Sequence, residues 1–574
     1  MKCTVAELIF DYLEQQGIDH IFGVPGLVLE PFLAACRKKG TITPILAKHE
    51  EGAAFMADGY ARVKGLPGVC FATSGPGVTN LISGVAGASL DGIPLLVFSG
   101  QIPTFTNRKG TLQDSTGVGI DSVKIFETIC KSSMVLSSPH AAEYDLRSSY
   151  IHAMTGRKGP VHLSLPKDIL METIEISIIE EPFTPPVAEY FDRKRVIEAT
   201  RELCIAEKPA MLVGSGAVAS GASQEIVELA EMFRIPVATT PKAKGAFPED
   251  HPLALGVLGL GGSPLAECYI KSSEIDVLLV VGSSLNQIST FSWDPAILPS
   301  KTLININIDP TIININYTAD IPLIGDAQTV ISEISFRALR YLDEQEEMIE
   351  KRYADFQREK QHQNMVVDPE KMMSDQVPIK PQRLIFDLQN GLPKDAILFS
   401  DVGSHLLWAL HYLKMTRPGQ FIAPFGLLTM GFGTAAPIGG KLAAPDRPVV
   451  AIVGDGCFGM NGMEIATAVN YNLPIVWIVM NNSMLGLIHA FQSLSLGEDT
   501  ILTRFRRIDF AKLAGSLGAV GITITEPGEL ARLLPEAIAS GKPTVFDCLI
   551  DPDEKPPITS FATGARDYAA RTLH

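Results

Sequence analysis

The stretch that decides the fold is VVAIVGDG, Val449–Gly456, together with its counterpart IVWIVMNN, Ile475–Asn482. Each opens on an apolar, largely β-branched run, the pattern of a strand buried on both faces. Each then breaks into glycine or polar residues. In a parallel sheet Asp455 and the pair Asn481-Asn482 therefore emerge together at the carboxyl edge, where open α/β sheets bind ligands. Taken singly, GDG reads as a surface turn, and an Asn pair more so. Their shared position behind two buried strands, 24 residues apart, turns the reading toward a site.

The same grammar runs outward along the chain. A helix over Thr4–Gln16 has Thr4 as N-cap and Gly17 as its stop. Strands follow at His20–Val24, Gly68–Thr73, Leu95–Ser99 and within Arg157–Pro166, with a helix over Glu50–Lys64. A second unit starts near Arg193, with strands at Pro209–Gly214, Pro236–Thr239, Ile275–Gly282 and Thr302–Asp309. A third adds strands at Ala396–Asp401 and Thr544–Leu549 to the two quoted above. Short apolar strands closed by Gly or Pro and followed by helices predict α/β architecture: three tandem, doubly wound parallel-sheet domains over residues 1–180, 190–330 and 381–550. The Pro-rich stretch Glu181–Ala188 reads as one linker. The charged, Gln-rich stretch from about Glu333 to Gln382 reads as a second, with an exposed helix over Asp343–Lys360. The tail after Asp551 is polar and is expected on the surface.

Composition narrows the class. With 574 residues, 46 % hydrophobic and 20 % charged, the chain can bury several cores and is not a disordered polymer. Its 48 basic against 64 acidic residues give a net charge of −16, which argues against nucleic acid or an anionic membrane as partner. No apolar run approaches a membrane span, and the N-terminus lacks a signal-peptide pattern. Eight scattered cysteines without a CxxC pair suit a reducing cytoplasm.

The chemistry can be read from residue types. The carboxylate of Asp455, the amide oxygen of Asn482 and a loop carbonyl, which the resemblance described below puts at Met484, make a hard oxygen set suited to Mg²⁺ or Ca²⁺, with Mg²⁺ completing its shell on substrate phosphates. Gly456 and Gly486 let backbone approach those phosphates, and helix N-termini add their amides. Cys457, with no basic partner in the motif, reads as a small residue beside phosphate rather than a nucleophile. Glu50, in Lys48-His49-Glu50, sits where a strand turns into a helix; alone it reads as a partner of the helix dipole. Leu428 and Met430, in FGLLTMGFG (425–433), read blind as core. His405, in Gly403-Ser404-His405, reads blind as a surface histidine.

Together these segments resemble the thiamine diphosphate (ThDP) enzymes. The resemblance runs from IFGVPG (21–26) and HEEGAAFMADGYAR (49–62) through GPGVTN (75–80), SGQIPT (99–104), TLQDS (111–115) and DVGSHLLW (401–408) to the Asn pair. It is nearest to the acetolactate synthase large-subunit group. The resemblance implies ThDP and Mg²⁺ as cofactors, and a homodimer or homotetramer whose active sites lie between subunits. It gives Glu50 the proton relay to the aminopyrimidine ring and Met430 the wedge that bends the cofactor. It gives the Leu428 carbonyl the ring's amino group, Gln113 the reacting intermediate, and Ser404 and His405 the diphosphate. The expected reaction is decarboxylation of a 2-oxo acid, pyruvate for preference, with ligation to a second carbonyl.

Some positions depart from the group. Leu27 replaces the second glycine of Pro-Gly-Gly and would place an apolar ceiling over the thiazolium ring. That leaves the carbanion no ready proton donor and favours ligation over aldehyde release. Ser284 and Ile288 stand where two arginines contact FAD and an acidic acceptor. FAD is therefore doubtful, and a neutral aldehyde acceptor stays open. Phe491 replaces the tryptophan of the acceptor pocket. The turns Gly214-Ser215-Gly216 and Gly259–Gly262 are weak evidence for a nucleotide.

Overall fold

In a computed structural model the chain is described over residues 2–175, 190–496 and 500–558. It forms three six-stranded sheets, each parallel throughout. The first runs, in spatial order, Thr43–Leu46, His20–Val24, Gly68–Ala72, Leu95–Gln101, Val161–Pro166 and Ser132–Val135. The second runs Ala254–Val257, Val237–Thr239, Pro209–Val213, Val277–Val281, Thr302–Asn307 and Ile321–Ile324. The third runs Phe421–Ile422, Ile397–Ser400, Val449–Gly454, Ile475–Asn481, Thr544–Leu549 and Val520–Ile524. The expected fold class is the observed one.

The sequence reading recovers the four central strands of each sheet and misses both edge strands every time. For three of these six the reason is exposure, while Ala254–Val257 and Phe421–Ile422 are buried but only four and two residues long. A central strand is buried on both faces and must be apolar throughout, whereas the edge strands Thr43–Leu46, Ser132–Val135 and Val520–Ile524 are each partly exposed. The pattern that the reading relies on is absent there.

The first helix spans Val5–Gln15, and Thr4 caps it in a reciprocal pair with Glu7. The charged region from about Glu333, expected as a linker, is helical and packed, and the helix before it begins at Ala327. Ala327–Ala338 forms a helix whose Val330, Ile331 and Ile334 enter the core of the middle domain. The next helix, Leu342–Gln361, is not simply exposed. Its Ile349 and Phe356 join the same core, and buried Arg352 donates to the carbonyl of Cys204. One apolar stripe among many charges suffices to dock a helix. The expected Glu181–Ala188 linker and the tail beyond residue 558 lie outside the described residues. Among the described residues no helix is long and apolar enough to cross a membrane.

The N-terminal and C-terminal domains share one core. The Glu50–Lys64 helix lies against the Phe432–Ala443 helix, and Phe55 meets Phe432 edge-on at 5.6 Å. Small residues allow this approach. A Cβ on Gly59 would lie 2.1 Å from the Ala436 carbonyl oxygen, and one on Gly439 only 1.8 Å from that of Met56. Gly439→Ala is therefore expected to destabilise the chain by about 1–3 kcal/mol. Gly515→Ala, on an exposed helical site with open space, is expected to be neutral or stabilising by up to about 1 kcal/mol. Urea unfolding of the two variants beside wild type checks both values.

Candidate active site

Two clusters gather at the carboxyl edges of the outer sheets. The first centres on Asp455, which opens the Asp455–Asn461 helix directly after its strand. Its carboxylate is buried and accepts the backbone N–H of Gly456 at 2.8 Å, Asn482 at 3.1 Å and Ser483 at 2.6 Å. Burial raises its pKa to about 6 against the pull of these amides. Gly486, which opens the Gly486–Leu496 helix, lies where its Cβ would meet Ser404 Oγ at 2.9 Å and Asn482 Nδ2 at 3.2 Å. A Cβ on Gly456 would lie 3.4 Å from Met430 Cε. Ser404, Met430, Asp455, Gly456, Asn482 and Gly486 are thus brought together. Met484 is buried and pairs with Arg504 in an isolated bridge.

His405 differs from its blind reading. It is buried rather than on the surface, with its ring 3.0 Å from where Cβ atoms on Gly403 and Gly454 would be. Burial lowers its pKa to about 3, so the ring is neutral. Its Nε2 and the hydroxyl of Ser404 have no hydrogen-bond partner among the described residues. Buried polar atoms left unpaired beside a carboxylate and a glycine cradle fit an oxygen-rich ligand such as a diphosphate with its divalent ion. Cys457 turns its thiol inward to the Val402 carbonyl at 3.0 Å, and burial pushes that thiol well up. It can meet such a ligand only through its backbone. Asn481, the first of the pair, is occupied elsewhere, donating to Asp547 Oδ1 and the Ile508 carbonyl.

The loop before the Phe432–Ala443 helix is held by Asp401. This buried carboxylate accepts the backbone N–H of Gly431 at 3.0 Å and of Gly433 at 2.8 Å, directly after Met430 in the chain. Leu428, at φ +55°, carries a left-handed backbone that a Leu rarely adopts. Asp401 is not singled out by sequence; the signal available was an acid closing a strand, shared with many turns.

The second cluster centres on Glu50, in the first turn of its helix, with His49 as N-cap. Asn80 Nδ2 donates to Glu50 Oε2 at 2.9 Å, and Oε1 lies beside Gly77. Gln113, at φ +57°, sits over Gly75, whose N–H is held by Ser115 Oγ at 2.7 Å. Leu27 is exposed in the turn after Pro25-Gly26. Asn80 lies within the quoted GPGVTN, but nothing in its spacing announces a contact with Glu50.

Within one chain the clusters stand apart. Asn461, at the end of the helix that Asp455 begins, donates to Glu51 at 3.1 Å. The following turn ends at Glu464, which accepts the N–H of Lys48. At 1.5 Å per residue, Asp455 is roughly 13 Å along that path from the Glu50 junction. In the middle domain, Cβ atoms on Gly214, Gly216 and Gly259 would collide with the carbonyls of Gly282, Gly282 and Ile288. Close backbone packing accounts for those glycines.

Comparison with known proteins places these clusters in context. Family models described as the thiamine pyrophosphate enzyme N-terminal TPP binding domain, central domain and C-terminal TPP binding domain match residues 3–123, 196–334 and 401–548. A probable acetolactate synthase large subunit of Methanocaldococcus jannaschii is 37 % identical over 96 % of this chain and 93 % of its own length. The acetolactate synthase isozyme 3 large subunit of Escherichia coli is 34 % identical over 93 % of this chain and 92 % of its own.

Burial raises the Asp401 pKa from 3.8 to about 7. Between those values the folded chain binds more protons than the unfolded one, so stability falls as pH rises through the window. Asp401→Asn cannot titrate. The melting temperature of the variant relative to wild type is expected to rise steadily between about pH 4 and pH 7, read in buffers free of divalent ions and nucleotides.

Proposed function

The chain belongs to the thiamine pyrophosphate enzyme family, and from that premise we propose that it decarboxylates a 2-oxo acid, pyruvate for preference, and ligates the remaining fragment to a second carbonyl. The observation that carries this reading is the cluster at Asp455: a buried carboxylate, a glycine cradle, and Ser404 Oγ and His405 Nε2, unpaired among the described residues, at one sheet edge. Asp455, Asn482 and the Met484 carbonyl would hold Mg²⁺. Ser404, His405, Gly486 and the backbone at Gly456-Cys457 would hold the diphosphate. Bound ThDP supplies the carbanion chemistry that no side chain offers.

The remaining roles fall to this chain's own groups. Asn80 fixes one oxygen of Glu50, leaving the carboxylate oriented to hold and pass a proton. Asp401 sets the loop that presents Met430 as the wedge and the Leu428 carbonyl as an acceptor. Leu27 excludes water from above, and Gln113 lines the reacting side. The reading calls for a second copy of the chain, and two features support that. Glu50 and Asp455 of one chain are separated, while Leu27, Phe105 and Leu112 on one domain and Leu427, Met460 and Met463 on the other expose large apolar side chains. We place the site between the N-terminal domain of one subunit and the C-terminal domain of its partner, in a homodimer or homotetramer in the cytoplasm. Because Ser284 and Ile288 offer no guanidinium to clamp a carboxylate, a neutral aldehyde acceptor is the second reading, with FAD left doubtful.

Calorimetry with ThDP should give a saturable heat that requires Mg²⁺ and is lost in Asp455→Ala. Absence of that heat in the wild type would sink the reading. With pyruvate, mass spectrometry should find acetolactate; with an added aldehyde, the mixed ketol tests the second reading. Glu50→Gln is expected to lower kcat by about 10²–10⁴-fold.

A further inference from the structure

Glu464 belongs to the C-terminal domain, yet its side chain ends in the N-terminal one. It closes the Gly462–Glu464 turn that continues the Asp455–Asn461 helix, and it is 1 % exposed. Oε1 accepts the backbone N–H of Lys48 at 2.9 Å and of His49 at 3.1 Å. Oε2 accepts the hydroxyl of Thr467 at 2.7 Å. The two amides belong to the residues directly ahead of Glu50, at the helix end that presents the positive end of its dipole, where the N-cap His49 covers only the Glu51 N–H. Room for the carboxylate is built in: a Cβ on Gly52 would stand 2.3 Å from Oε1. Asn461, three residues earlier, holds Glu51 from the same side.

A carboxylate is costly to bury unless its oxygens are hydrogen-bonded. This one is spent on two backbone amides at the junction that aims Glu50. Fixing both N–H groups fixes the backbone torsions at Lys48-His49, and with them the direction in which the Glu50 side chain leaves the helix. We propose that Glu464 is a positioning residue for Glu50, holding from another domain the backbone that sets the proton-relay carboxylate. The inference rests on the reading of Glu50 given above.

The test uses the full-length protein loaded with ThDP and Mg²⁺ and no substrate. The readout is the rate of deuterium exchange at the cofactor's reactive carbon, per bound cofactor, followed by NMR after acid quench. Glu464→Leu removes both acceptors at similar volume and is expected to slow exchange about 10- to 100-fold while the calorimetric Kd for ThDP stays within about threefold. Glu464→Gln retains one acceptor oxygen and is expected to recover most of the rate. Wild-type exchange in Glu464→Leu would overturn the proposal. If that variant does not fold, Thr467→Val, which unmoors the carboxylate without removing it, carries the test: slowed exchange supports the proposal and an unchanged rate overturns it. Glu50→Gln runs alongside. If it exchanges at the wild-type rate, the reading of Glu50 itself is lost; if it is slow while Glu464→Leu is normal, only the role of Glu464 is lost.

Discussion

Backbone-to-backbone contact between two helices of different domains is the constraint on which the rest of the molecule depends. The Glu50–Lys64 and Phe432–Ala443 helices approach so closely that Gly59 and Gly439 have no room for a methyl group. Around that contact lies a buried set of charges. Arg62 pairs with Asp58 and Asp91, Lys242 of the middle domain pairs with Asp91, and Arg62 stacks over Phe432. Asp91 also accepts the N–H of Phe425. Two cations and two anions buried together cost far less than any one alone, and removing one would strand the others. All three domains meet there. The segment leading to Met430 is therefore fixed at its start by Asp91 and at its end by Asp401.

That constraint has a consequence for chemistry. Because the first and third domains of one chain are locked through these helices, Glu464 is delivered to Lys48-His49, and Asp455 is left at the other end of its helix from Glu50. In the function proposed above, the acid and the metal-bound diphosphate are therefore supplied by two copies of the chain. The apolar side chains left exposed around both clusters fit the same arrangement.

Three of the thirteen non-glycine positions with positive φ among the described residues fall where ligand chemistry is proposed. Leu428, Gln113 and Ser483 all carry positive φ, and none is a glycine. Such conformations persist only where surroundings over-determine them. For Leu428 the surroundings are the amides pinned by Asp401, and for Ser483 the Asp455 carboxylate.

What the sequence determined by itself was local in origin. Apolar runs specify the central strands of each sheet, since such strands are buried on both faces. Gly454-Asp455-Gly456 and Asn481-Asn482 mark the carboxyl edge because a strand must end where its apolar run ends. Glu50 was legible through its place before a helix and the resemblance of its neighbours. What only the tertiary structure decided was everything that depends on residues distant in the chain. The edge strands are set by their neighbours more than by their own pattern. His405 is buried with a ring nitrogen unpaired among the described residues, Cys457 faces inward, and the Leu342–Gln361 helix docks through Ile349, Phe356 and the buried Arg352. Asp401, Asn80 and Glu464 gain their meaning from amides and side chains 30, 30 and more than 400 residues away. A carboxylate's sequence context records which backbone it belongs to; which backbone it holds is settled by packing between domains.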